Sequence, residues 1–189
     1  AGLCLETGPL RTGSRPGARE RKHRIRQRIG NLPPRSVLLA EDETDILLFP
    51  RLRNAWRLRG QPGDVVLSGR NARRVVFGAM NLRTGKRWFM VRKRGRGEDF
   101  RAFLELLHEH YHGWHLALLL DEDSSHTNGK SRTLAKELSI KLIWMPNRSP
   151  KLNPMDHLWG QGKDIVSANR QYATIEQQAD LFVEHLENL

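Results

Sequence analysis

From Ser36 onward the chain changes its hydrophobic period several times, and that succession limits the possible folds more than any other feature. Ser36 to Ala40 is a short apolar run that stops at Glu41, Asp42 and Glu43, as a buried central strand does on reaching the edge of its sheet. Ile46 to Phe49 either continues that run or opens a loop. Asp64 to Ser68, Arg73 to Asn81 and Arg87 to Val91 are strand-like, with Thr84 and Gly85 supplying turn chemistry, so antiparallel strands are expected here. Glu98 to His112 then switches to a helical period: Phe100, Phe103, Leu104, Leu107 and Tyr111 share a face, acids begin it and Gly113 stops it. Strands at His115 to Leu120 and Ile140 to Trp144 follow, separated by a helix over Lys130 to Leu138. A helix from Pro154 to about Ala168, with Asn153 as its cap, and a last helix from Thr174 to Leu189 complete the order. Three antiparallel strands followed by strands alternating with helices call for an α/β fold, a mixed sheet flanked by helices. No internal repeat is present.

The chain is long enough for a single domain without staples. Its one cysteine, Cys4, cannot close an internal disulfide or build a cysteine-rich zinc site, which suits a reducing compartment. No apolar run approaches the ~20 residues of a membrane span, so the chain reads as soluble with no membrane partner. Its first residue, Ala1, and the lack of a signal pattern suggest a start that lies inside a longer sequence. The formal charge of +11 is concentrated. Residues 1–35 carry nine Lys/Arg against Glu6 and Glu20, and with Pro16, Gly13 and Gly17 they read as a flexible basic arm or linker, leaving 36–189 as the folded domain. Arg21, Lys22, Arg24, Arg26 and Arg28 are expected to meet DNA phosphates, as is the loop Arg92, Lys93, Arg94 and Arg96; a solvated leader and an exposed turn are the plainer readings of the two.

Three acids stand where secondary structure would deliver them to one edge of the sheet: Asp42 after the first strand, Asp121 after His115 to Leu120, and Asp156 one turn into the helix after Asn153. Three carboxylates that converge repel one another, and a hard divalent cation, Mg²⁺ or Mn²⁺, relieves this. Two such ions can carry phosphodiester chemistry, with a basic protein supplying phosphate affinity. Asp42 has rivals in Glu41, Glu43 and Asp45, but strand alternation puts Glu41 and Glu43 on the face opposite Asp42. Asp156, three residues after Asn153, also mimics a capping box.

The stretch Ser149-Pro150-Lys151-Leu152-Asn153-Pro154-Met155-Asp156-His157-Leu158-Trp159, followed by Lys163, resembles the third acidic signature of DDE transposases of the mariner and related bacterial insertion-sequence group. Leu119-Leu120-Asp121 with His126 resembles the second signature. Leu39-Ala40-Glu41-Asp42-Glu43 with Pro50, Trp56 and Gly60-Gln61-Pro62 resembles the first. The 34 residues between Asp121 and Asp156 match the separation in that group. The resemblance covers about residues 33–189. It implies an RNase H-like core in which Asp42, Asp121 and Asp156 bind two Mg²⁺ or Mn²⁺ ions, His126 neighbours the second acid, and Asn153 and Pro154 shape the start of the last-motif helix. The implied activity is endonucleolytic nicking of transposon ends followed by strand transfer to target double-stranded DNA. It further implies assembly as a homodimer on DNA, and action in the cytoplasm at the nucleoid of a bacterium.

This sequence departs from the group's pattern in four respects. The third acid is Asp where many bacterial relatives carry Glu, although mariner-like members use Asp. Glu122 and Asp123 follow Asp121 where Asn is common, which makes Asp123 a further ligand candidate. Gly160 and Gly162 interrupt the last-motif helix, which suggests drift. Residues 1–35 supply no helix-turn-helix. A catalytically silent remnant that only binds DNA, or a stand-alone nuclease, therefore stand as alternatives. His108-Glu109-His110-Tyr111-His112 matches H-E-x-x-H, but Gly113 ends its helix at once and leaves a solvated helix end as the better reading. Trp88, Trp144 and Trp159 read as core residues.

Overall fold

The computed structural model describes residues 18–56, 63–145 and 153–189. Five strands form one mixed sheet: β1 (Ser36–Leu47), β2 (Arg73–Asn81), β3 (Arg87–Arg92), β4 (His115–Leu120) and β5 (Lys141–Trp144), in the order β3-β2-β1-β4-β5. The pairs of β1 with β2 and β2 with β3 are antiparallel, whereas β4 lies parallel to both β1 and β5. This is the expected three-strand meander extended by crossovers through helices.

Alternation along the strands sorts the core into two layers. Val37, Leu39, Val75, Phe77, Leu116, Leu118 and Leu120 point to one face, where α2 (Gly97–His110) and α4 (Gly129–Glu137) cover them. The helical period read from the sequence is the buried stripe of α2: Phe100, Phe103, Leu104 and Leu107 are fully buried. Each such side chain contributes about 1.5 to 3 kcal/mol on burial. Ala40, Ile46 and Val76 point to the other face, against α5 (Pro154–Gly162) and α6 (Ile175–Glu187). Thr174 caps α6 as expected, accepting a hydrogen bond from the Gln177 amide at 3.2 Å.

The structure departs from the expected elements in five places. The first strand does not stop at Ala40. It runs through the acids to Leu47, because Thr44, Ile46 and Leu48 continue the inward parity of Ala40 and β2 pairs with it down to Leu47 opposite Arg73. Residues 64–68 form no strand; Val66 is 88% exposed, and the Ser68 amide is held by the side chain of Gln171.

The basic arm is helical over α1 (Ala18–Gly30), because Ile25, Ile29 and Leu32, spaced one and two turns apart, pack on Leu38, Ala117, Leu119, Ile143 and Met145. A folded contact therefore crosses the boundary placed at residue 35. A short helix, α3 (Ser124–Thr127), precedes α4. Finally, α5 passes at Lys163–Ser167 into a π-helical turn. A methyl at Gly162 would meet Phe182 at 2.7 Å and Leu186 at 3.1 Å, so this glycine lets α6 approach closely and does not mark drift.

Candidate active site

The position of the acids follows from strand register. β4 pairs with β1 only as far as Leu119 opposite Ala40, and two residues further along each strand stand Asp121 and Asp42. The two carboxylates are thus level in neighbouring parallel strands, just where β4 ends and β1 goes on. Both line a cleft of about 590 Å³, together with Asp45, Arg51, Arg73, Gly95, Asp123 and Lys163. Asp42 also lines an adjoining cleft of about 500 Å³ with Arg51, Asp156, His157 and Lys163. Asp42 is therefore common to both, with Asp121 on one side and Asp156 on the other.

Each acid is held differently. Asp42 is half-buried and accepts a hydrogen bond from Trp159 Nε1 at 3.0 Å, so this tryptophan is both core and an anchor for the first acid. Burial, with the charges of Glu43 and Asp121 behind it, pushes the Asp42 carboxyl from 3.8 up to about 7. Trp159 itself fits only because β2 carries Gly78 opposite Asp42; a methyl there would meet Met155 Cε at 2.7 Å and the indole ring. The indole also meets Phe89 edge-on at 5.8 Å.

Asp121 is more open, and both of its hydrogen bonds fall on Oδ1, from the Asp123 amide at 3.0 Å and His126 Nδ1 at 3.1 Å. The bond to His126 is the main reason its carboxyl lies below the usual range. Asp156 is exposed in the first turn of α5. The capping function belongs to Asn153, whose Oδ1 accepts from the Met155 amide while its Nδ2 donates to the Glu41 carbonyl at 3.0 Å, tying α5 to β1 beside the first acid. Asp123, a further ligand candidate in the sequence, caps α3 by accepting from the Ser125 amide at 2.8 Å.

Glu41 and Glu43 face away from Asp42, as alternation requires, and meet buried His126 on the other side of the sheet. Among the described residues, the metal-ligating side chains drawn within 4.8 Å of one another are these three, not Asp42, Asp121 and Asp156. Sequence reasoning set Glu41 aside as a rival of the wrong parity and missed its meeting with His126, a contact across 85 positions. It also left Arg51 and Arg73 unremarked.

Lys163 begins the π-helical turn and is half-buried in both clefts. Burial and Arg51 push its ammonium down, against the opposing pull of Asp45, Asp42 and Asp156. Of the expected phosphate contacts, Arg24, Arg26 and Arg28 are exposed on α1, Arg24 bridging to Glu20 at 2.6 Å. The side chains of Arg21 and Lys22 lie outside the described residues. Lys93, Arg94 and Arg96 are exposed in the loop whose Gly95 lines the first cleft; Arg96 also begins α2, and Arg92 is half-buried near Asp99. Helix α2 ends at His110, so His112 lies beyond it and the H-E-x-x-H stretch does not form a paired helical ligand face. The residues 57–62 and 146–152 of the sequence signatures lie outside the described residues. No helix among the described residues is long and apolar enough to cross a membrane.

Comparison with known proteins converges on one family. Residues 37–178 match the family described as DDE superfamily endonuclease. The insertion element IS630 uncharacterized 39 kDa protein of Shigella sonnei is 29% identical over 142 residues, covering 72% of this chain and 40% of that protein. The transposable element Tc3 transposase of Caenorhabditis elegans is 32% identical over 132 residues, covering 65% of this chain and 40% of that one. The chain thus spans about two-fifths of the length of these relatives. In three dimensions, the Mos1 mariner paired-end complex with Mn superposes with a TM-score of 0.68 at 16% identity, covering 100% of this chain and 61% of that one. The Mos1 complex with the left transposon end gives 0.67 at 16%, covering 98% and 59%. These structural likenesses show an RNase H-like fold.

Proposed function

The chain belongs to the DDE superfamily endonuclease family, and from that premise we propose that it is the DNA-cleaving and strand-transferring core of an insertion-sequence transposase, with Asp42, Asp121 and Asp156 as its metal ligands. The observation that carries this reading is the position of Asp42, shared by two adjoining clefts that contain the other two acids. The donor set fits hard divalent cations: carboxylate oxygens, with no cysteine among the described residues, and a first acid whose ionised form is disfavoured until positive charge arrives. Asp42, Asp121 and Asp156 would hold the Mg²⁺ or Mn²⁺ ions. Such ions supply a deprotonated nucleophile and charge neutralisation on the leaving oxygen of a phosphodiester.

The chain's own residues do the positioning. Trp159 holds Asp42 by one hydrogen bond, and His126 with the Asp123 amide holds Asp121, which limits the rotamers of both acids before substrate arrives. Arg51, Arg73 and Lys163 line the same clefts and supply the phosphate affinity that carboxylates lack. The Lys93 to Arg96 loop extends the basic surface along the cleft, and the exposed arginines of α1 extend the reach on DNA. In this reading the substrates are transposon-end and target DNA, the working assembly is a homodimer on DNA, and the setting is the bacterial cytoplasm.

Nicking of supercoiled plasmid in Mn²⁺, with wild type and Asp121→Asn purified in parallel, tests the proposal. Activity confined to the wild type supports it; nicking that survives the substitution, or DNA binding without nicking by either protein, overturns the catalytic assignment.

A further inference from the structure

The sheet face opposite Asp42 contains a second cluster of ligands. Glu41 is fully buried and neither carboxylate oxygen has a hydrogen-bond partner. His126 is 1% exposed; its Nε2 lies 3.5 Å from Glu41 Oε2 and 3.0 Å from Glu43 Oε1, yet makes a hydrogen bond to neither. Ionising a buried carboxyl without donors is costly, so the fold has a reason to bring positive charge there.

The other ring nitrogen decides what kind of charge fits. His126 Nδ1 faces both the Asp121 carbonyl oxygen, at 3.2 Å, and Asp121 Oδ1, at 3.1 Å. Two acceptors on one side hold a ring proton on Nδ1. Nε2 faces Glu41 and Glu43; against the effect of burial, the charge of Glu41 and the contacts with Asp121 and Glu43 push the imidazole up to about 12, so a cation at Nε2 takes the place of a proton there. This carboxylate-histidine arrangement is the one that orients imidazoles toward metal ions. The spacing agrees: ligand atoms about 2.0 to 2.1 Å from one ion in tetrahedral array lie about 3.3 Å apart, and Nε2 stands 3.0 and 3.5 Å from its two neighbours. Phe100, with its ring centroid 4.4 Å from that of His126, walls the site from solvent. Glu43 also lines the 590 Å³ cleft and gives a route in.

From this geometry we infer that Glu41, Glu43 and His126 form a further cation site, on the sheet face opposite Asp42, for a borderline transition ion such as Zn²⁺. One imidazole nitrogen with two carboxylates favours Zn²⁺ or Mn²⁺ over Mg²⁺, which prefers all-oxygen shells. Binding takes the place of any proton on Nε2 and releases it. The ion would join β1 to the loop after β4 just where the two strands stop pairing, and through His126 it would fix Asp121. The site does not depend on catalysis.

Zn²⁺ binding by equilibrium dialysis, on the full chain carrying Asp42→Asn and Asp156→Asn so that the proposed catalytic ions are removed, tests the inference. One Zn²⁺ per chain is expected, weakened at least tenfold by Glu41→Gln or His126→Gln in protein whose near-UV circular dichroism is unchanged. X-ray absorption of the Zn²⁺-loaded chain, which needs no further substitution, should show one imidazole among oxygen ligands. No bound Zn²⁺, a shell with two or more imidazoles, or binding that survives both substitutions and disappears with His110→Ala and His112→Ala would each overturn it. Failure here leaves the plasmid-nicking result untouched, and loss of nicking leaves this binding untouched.

Discussion

Replacing Asp42 by Asn should make the metal-free protein more stable while removing the first proposed ligand. In the fold this carboxyl is pushed from 3.8 up to about 7, mainly by burial, with the nearby charges of Glu43 and Asp121 adding to it. The folded state therefore binds its proton more tightly than the unfolded chain. Stability from this group is intact below about pH 4, falls as pH rises between the two values, and is fully lost above 7. About three units at ~1.4 kcal/mol each give a ceiling of about 4 kcal/mol at pH 8, and partial solvent contact reduces the expected gain for Asn to about 2 to 3 kcal/mol. The amide can still accept the Trp159 hydrogen bond, so packing is conserved. Thermal unfolding in EDTA at pH 8 and pH 5 measures the effect. The variant should be the more stable at pH 8, with Tm higher by about 5 to 10 °C, and the difference should shrink by more than half at pH 5. Equal stability at pH 8, or a variant less stable than wild type, would refute the reasoning that burial and like charge strain this acid.

Gly78→Ala should cost about 1 to 3 kcal/mol in thermal unfolding and reduce Mn²⁺-dependent nicking, because the new methyl displaces the indole that holds Asp42; a fold and activity equal to wild type would show that the ring has room. Gly162→Ala should be destabilising by a similar amount, since its methyl meets Phe182 and Leu186. The Tm of that variant checks it, and a rise of the kind Gly to Ala gives in an unconstrained helix would contradict the packing. Substituting Arg24, Arg26 and Arg28 together by Gln should flatten the salt dependence of DNA binding by up to about three phosphate contacts, seen as a lower slope of log K against log salt. An unchanged slope would make the helix a packing element alone.

Where local pattern decides structure, the sequence was readable. The stripe of Phe100, Phe103, Leu104 and Leu107, the Thr174 cap and the Asn153 cap all lie within one or two turns of the residues they organise. The placement of Asp42 level with Asp121 rests on their strands being parallel neighbours, a pairing that only the register shows. The length of β1 was misjudged because three consecutive acids look like a strand end, although the parity of Ala40, Thr44 and Ile46 runs straight through them. Ile25, Ile29 and Leu32 were concealed by the arginines around them. The cluster of Glu41, Glu43 and His126 and the close approach at Gly162 depend on tertiary contacts across 85 and 20 or more positions, which no window along the chain contains.

Because β1 outruns β4, the clefts are made by subtraction: one strand stops and its neighbour continues, anchored on its far side by β2 as far as Leu47. Asp42 is thus carried on an interior strand, while Asp121 begins a loop and Asp156 a helix. Insertions or losses in the surrounding connections can reshape who enters the clefts without moving their floor. For the proposed transposase core, this leaves the connections free to change with the DNA partner while the sheet keeps Asp42 in register.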